Sequence, residues 1–187
     1  MIEKAKTVLQ DSKKKMQDAV THLDEELKTY RAGKANPAVF ANVMVNYYGT
    51  MTPIPQVASI SVPDAKTMFI QPWERNMIAP IEKAIMDANI GFTPQNNGEV
   101  IRINVPALTE DRRRELVKKA KGEGETAKVS IRNVRRDAIN ALKKLQKEGL
   151  PEDVEKDSEE AVQKDTDTFS KKVDEILAAK EKEIMTV

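Results

Sequence analysis

Seven cations between residues 114 and 143 are spaced so that a helix would carry them on one side. Stepping about 100° per residue from Arg132, the side chains of Arg114, Lys118, Lys121, Lys128, Arg136 and Lys143 fall within about 40° of it. Leu116, Ala120, Ala127, Ile131, Val134, Ala138, Ala141, Leu142 and Leu145 fall in an opposing arc of roughly 100°. The chemistry such a line offers is contact with phosphate. Lysine acts as a point charge and arginine as a planar fork that binds two oxygens at once. Glu125 and Ile139 also fall on the basic side and interrupt the stripe. A long straight basic face suits a large folded nucleic acid recognised by shape and backbone. Aromatic residues are only 4% of the chain, too few for a reader of single strands by base stacking. A coiled-coil interaction protein with a charged exterior is the alternative reading.

Catalytic chemistry finds little support. His22 is the only histidine and sits beside a helix-seam leucine, a surface or boundary position. The acid runs Asp24-Glu25-Glu26 and Glu159-Glu160 read as solvated helix surface. Gly122-Glu123-Gly124-Glu125 lacks the Lys-Ser/Thr ending of a phosphate loop, and no strand precedes it. Each of these glycines should cost a helix about 1 kcal/mol relative to alanine, which points to local flexibility, close approach of a neighbour or tolerated drift. The chain has no cysteine, so disulfides, thiolate zinc sites and cysteine nucleophiles are excluded. No catalytic residue, metal site or cofactor is expected.

Composition describes the elements that must position the basic face. Charged residues make up 33% of the 187, which points to long amphipathic helices. The net charge of +1 conceals segregation: residues 106–150 carry +6 and residues 151–187 carry −6. A basic helix followed by an acidic one can still bind nucleic acid at a near-neutral pI, although mutual neutralisation within a bundle explains many of the individual charges. No apolar run approaches a membrane span, and Met1-Ile2-Glu3-Lys4 opens no signal core, so a soluble cytosolic protein is expected.

The ends of the chain read as helical. Ile2, Ala5, Leu9, Ser12, Met16, Ala19, Leu23, Leu27 and Tyr30 recur at three- and four-residue steps, as in a bundle seam. Gly149-Leu150-Pro151 ends the basic helix and opens another. That last helix continues through Val154, Ser158, Ala161 or Val162, Asp165, Phe169, Val173, Ile176 and Ile184. The middle reads differently. Asn42–Tyr48, Val57–Val62, Thr67–Gln71 and Val100–Val105 resemble strands, and Arg75–Asn89 a helix, punctuated by prolines. The fold class is therefore α+β, an elongated antiparallel three-helix bundle with a small inserted β/α/β domain. The bundle takes residues 1–30 and 106–187 and the insert residues 31–105. The chain crosses twice, which makes a two-strand hinge at Arg31, Ala32, Gly33, Lys34, Val105 and Pro106.

The run Val129-Ser130-Ile131-Arg132-Asn133-Val134-Arg135-Arg136-Asp137-Ala138 resembles the signature helix of bacterial ribosome recycling factors. Further matches follow in order along the whole chain. They are Tyr30-Arg31-Ala32-Gly33-Lys34-Ala35-Asn36-Pro37, Tyr47-Tyr48-Gly49-Thr50 with Thr52-Pro53 in a first hairpin, Pro80–Ile85, Pro106–Arg113 and Val162-Gln163-Lys164. Lys34 and Asn36 stand where the family more often has arginine and serine, and Gly124 where many members have alanine.

The resemblance implies an L-shaped molecule, similar in outline to tRNA, with the bundle hinged to the smaller domain. It implies binding to the post-termination 70S ribosome between the subunits, mainly to large-subunit rRNA. Elongation factor G with GTP would then drive splitting, with release of mRNA and tRNA. The GTPase would be the partner, so this chain would be no enzyme and would need no cofactor, metal or membrane, acting as a cytoplasmic monomer. The rRNA contacts implied are Arg132 first, then Arg135, Arg136, Lys128, Lys121, Lys118 and Arg114, with Arg31 joining from the end of the first helix.

Overall fold

The computed structural model describes residues 1–30 and 33–186. The chain forms two compact units, one of Met1–Ala32 with Glu110–Val187 and one of Gly33–Thr109.

The first unit is built from α1 (Ile2–Lys28), α4 (Glu110–Lys147) and α5 (Glu152–Met185). At 38 residues, α4 is about 57 Å long. Cross-helix partners set the directions. Lys121 meets Glu181, Lys128 meets Asp174, and Lys143 meets Glu159, so α4 and α5 are antiparallel. Thr166 lies against Met16, and Lys180 reaches the Tyr30 carbonyl, so α1 runs parallel to α5. Met16, Ile131, Leu142, Val162, Val173 and Ile184 are completely buried between the three.

Gly149 (φ +116°) turns the chain after α4, where Leu150 N–H returns to the Leu145 carbonyl at 2.9 Å and the Leu150 side chain is buried. Pro151 then precedes Glu152, Asp153 and Glu155 in the first turn of α5, where carboxylates favour the helix dipole. The end of α1 is closed by side chains. Thr29 Oγ1 donates to the Glu26 carbonyl at 2.6 Å, and the nearly buried Lys180 ammonium donates to the Tyr30 carbonyl at 3.0 Å.

The α4 apolar arc is buried as the spacing requires, except that Val134 and Ala141 are only half-buried. Elsewhere the seams shift. Ile2 is exposed and Val20 buried in α1, and in α5 the buried position is Thr166, with Asp165 only half-buried. Thr166 tolerates burial because its hydroxyl donates to the Val162 carbonyl of its own helix at 2.8 Å.

Gly124 is buried, and a Cβ there would collide with Leu177 Cδ1 and lie 3.0 Å from Leu177 Cγ. Close approach of α5 is therefore its role, and nothing lies within 4 Å of a Cβ at Gly122. Gly122→Ala is expected to raise stability by about 1 kcal/mol through helix propensity alone. Gly124→Ala is expected to forfeit that gain by displacing Leu177, giving a midpoint below that of Gly122→Ala in urea unfolding followed by circular dichroism.

In the second unit, β1 (Met44–Tyr47) and β2 (Thr50–Pro53) form a hairpin, with Tyr48 (φ +48°) and Gly49 (φ +85°) at the turn. A short helical turn, α2 (Ile54–Val57), leads to β3 (Ala58–Asp64), β4 (Thr67–Pro72), β5 (Pro94–Asn96) and β6 (Ile101–Asn104). The sheet order is β3-β4-β6-β5, antiparallel throughout. Between β4 and β5 runs α3 (Ile78–Asp87), which buries Ile78, Ile81 and Ile85. The sheet contributes Met68, Ile70, Ile101 and Ile103 to the same core, all completely buried, as are Phe40 and Ile54. The expected helix from Arg75 begins as a 3-10 turn, Arg75–Met77. Strand β5, Pro94-Gln95-Asn96, carries little β-forming sequence and is ordered by its pairing with β6.

The chain segments that enter and leave this unit are both held by the β3–β4 turn. Ala35 N–H donates to the Ala65 carbonyl at 2.7 Å, and Val105 N–H to the Lys66 carbonyl at 2.8 Å. Val105 belongs to the core rather than to a free linker. Gly33 (φ +72°) lies against Leu108, whose backbone N would stand 3.1 Å from a Cβ at Gly33.

Candidate nucleic-acid interface

Ile131, completely buried, and Arg132, exposed, are successive residues of α4. Burial of the apolar arc thereby turns the cations outward along the helix. Arg114, Lys118, Lys121, Arg132, Arg136 and Lys143 are exposed, and Lys128 is half-buried.

Their partners divide the stripe. On the α5 flank, Lys128 Nζ pairs with Asp174 at 2.5 Å, while Lys121 and Lys143 meet Glu181 and Glu159 at 3.8 and 3.9 Å. Arg114 pairs with Glu110 at 2.6 Å and Arg136 with Asp137 at 3.8 Å, both within α4. Among the described residues, Lys118 and Arg132 have no ion-pair or hydrogen-bond partner. Apart from the half-buried Lys128, the cations of these pairs are exposed and the pairs contribute little to stability, so those cations remain exchangeable for phosphate. Arg135 stands apart: half-buried, its Nε donates to Gln163 Oε1 at 2.6 Å, and Gln163 Nε2 donates to Asp167 at 2.9 Å. It ties α4 to α5. Arg31 and Ala32 lie outside the described residues.

His22 is exposed on α1. No group of acidic or histidine side chains that could hold a metal occurs among the described residues. Glu159 is not plain solvated surface. Its Oε1 is buried, and it faces Glu155, which is 7% exposed. The hydrogen bond between the two carboxyls, then burial and mutual repulsion, raise the Glu155 pKa, opposed by Lys143 and Lys156. Its proton is held more tightly folded than unfolded, so this stabilisation is present in acid and lost as pH rises through the raised value. Glu155→Gln removes one charge and keeps a donor. It is expected to raise Tm at neutral pH and to flatten the acid-side gain, measured by thermal melts across the carboxylate range.

The buried arc and the outward line of cations on α4, joined in one chain to a separate α+β unit, define a helical bundle protein with an exposed basic face. The family model described as "Ribosome recycling factor" matches residues 23–185. The ribosome-recycling factor of Flavobacterium psychrophilum is 56% identical over the full length of both chains. That of Porphyromonas gingivalis is 60% identical over 92% of this chain and 93% of its own. A solution structure of the ribosome recycling factor superposes with a TM-score of 0.81 at 39% identity, covering all of both chains. A second structure matches with a TM-score of 0.62 at 40% identity, over 97% of this chain and 99% of the other. It shows the T. thermophilus ribosome recycling factor and the E. coli elongation factor G bound to the E. coli post-termination complex. This chain belongs to the ribosome recycling factor family.

Proposed function

We propose that this protein binds the ribosome after termination and, with elongation factor G and GTP, splits it into subunits, freeing mRNA and tRNA. The α4 face meets large-subunit rRNA, with Arg132 as its principal contact and Lys118, Lys121, Lys128, Arg114 and Arg136 along the same line. The observation that carries this reading is the exposed Arg132, without a partner among the described residues, in the middle of the cation line of a chain that matches its relatives from end to end. The neighbouring structure with elongation factor G on a post-termination complex supports the choice of partners.

In this reading the protein is a cytoplasmic monomer that performs no chemistry itself. Hydrolysis belongs to the GTPase, and neither cofactor nor metal takes part. Gly33, Lys34 and Pro106, together with Arg31 and Ala32, let the smaller unit turn while the bundle stays anchored. Val105 moves with the smaller unit, because it is part of that core.

The test is light scattering of purified post-termination ribosomes mixed with this protein, elongation factor G and GTP. A fall in scattering that needs all three components is expected. Absence of both a fall and co-sedimentation with large subunits would overturn the proposal and favour the coiled-coil scaffold.

A further inference from the structure

Near its N-terminal end, α4 forms with α5 a cleft of about 380 Å³ lined by Arg114, Val117, Lys118, Lys121, Glu181 and Met185. Its lining has two kinds of surface. Val117 is half-buried and Met185 is 44% exposed, and together they offer apolar area. The buried Arg113 donates from Nη1 to the Met185 carbonyl at 3.4 Å, which holds the last turn of α5 beside the cleft. Around that area stand three cations. Lys121 is countered by Glu181 at 3.8 Å and Arg114 by Glu110 at 2.6 Å, while Lys118 is unpartnered among the described residues.

A plain phosphate contact needs cations but no apolar wall. A flat apolar ring joined to an anion needs both. Methionine sulfur makes favourable contacts with aromatic rings, and an exposed thioether beside an unpaired ammonium matches a base and its phosphate. In the α4 helix Lys118 lies about 21 Å along the axis from Arg132 on the same side, so one nucleic acid can engage both.

We propose that the cleft between α4 and α5 receives an unpaired nucleotide of large-subunit rRNA, its base against Val117 and Met185 and its phosphate at Lys118. This deepens the rRNA-binding reading and rests on it. Such a contact adds to the backbone contacts of the cation line a point that fixes the position of the bundle along the RNA.

The test measures affinity for purified large subunits over a salt series. Three variants are compared with the wild type: Lys118→Ala, Arg132→Glu and the double variant Val117→Thr/Met185→Ala. Circular dichroism checks that each is folded. The double variant is expected to bind roughly threefold to tenfold more weakly with an unchanged salt slope, because it loses apolar contact and no phosphate. Lys118→Ala is expected to lower the slope by about 1. Chemical probing of the rRNA bases is expected to find one base protected by the wild type and left reactive by the double variant. A folded double variant that binds and protects like the wild type would overturn the cleft assignment. If Arg132→Glu still weakened binding, the wider rRNA reading would stand without it. Adenosine monophosphate tests the other source of the same chemistry. Binding of it to the isolated protein more tightly than large subunits bind would make the occupant a free nucleotide and overturn the rRNA assignment.

Discussion

Arg132→Glu is expected to weaken binding to large ribosomal subunits about tenfold to a hundredfold and to abolish subunit splitting. The variant removes a charge-assisted contact, about 1.5–3 kcal/mol, and puts a carboxylate against phosphate. The side chain is exposed and has no partner among the described residues, so the folded protein loses nothing when it is changed. The unfolding free energy should therefore stay within about 0.5 kcal/mol of the wild type. Lys171→Glu, an equally exposed position on the acidic α5, is the matched control and should bind nearly as the wild type does. Binding should weaken steeply with salt for the wild type, and the slope should flatten in Arg132→Glu. Equal losses in Arg132→Glu and Lys171→Glu would mean that overall charge, not the α4 face, governs the interaction.

The preceding residue should behave in the opposite way. Ile131→Ala is expected to cost about 2–5 kcal/mol of bundle stability, since Ile131 is completely buried and its methyl groups leave a cavity between the helices. Against a total of about 5–15 kcal/mol for a domain, that is enough to shift the urea midpoint of the helical signal substantially. The second unit has its own core around Ile70, Ile81, Ile85 and Ile103 and should keep its folded amide signals through the first transition. Below the new transition, where the variant is folded, its affinity for large subunits should match the wild type. The pair thus separates the two jobs of α4 at adjacent positions: one side chain holds the bundle together and the next is the proposed contact with RNA.

Much of this was legible before any coordinates. The alternation of three and four residues in α4 reports which side chains must leave water, because an amphipathic helix has one stable way to face a core. Once Leu116, Ala120, Ile131, Ala138, Leu142 and Leu145 were buried, the direction of Arg132 followed from covalent geometry. Family membership was legible from the ordered motifs.

Side chains whose roles depend on what faces them were not legible. Arg135 reads as one more cation of a basic helix, yet it serves Gln163 on α5, which lies 28 residues further along the chain. Glu159 reads as surface charge and instead is half-buried, with one carboxylate oxygen turned in toward the buried Glu155. Gly124 reads equally as a flexible point, a close approach or drift, and only the position of Leu177 decides for close approach. Strand β5, Pro94-Gln95-Asn96, carries almost no propensity of its own and is ordered by the ladder it completes. The sequence by itself determined the helices, the buried arc and the outward turn of Arg132, because these depend on periodicity within one element. Tertiary structure alone decided which cations are left without a carboxylate, where the chain becomes part of the second core at Val105, and where α4 and α5 leave a cleft. These depend on distances between elements, and local sequence carries no measure of them.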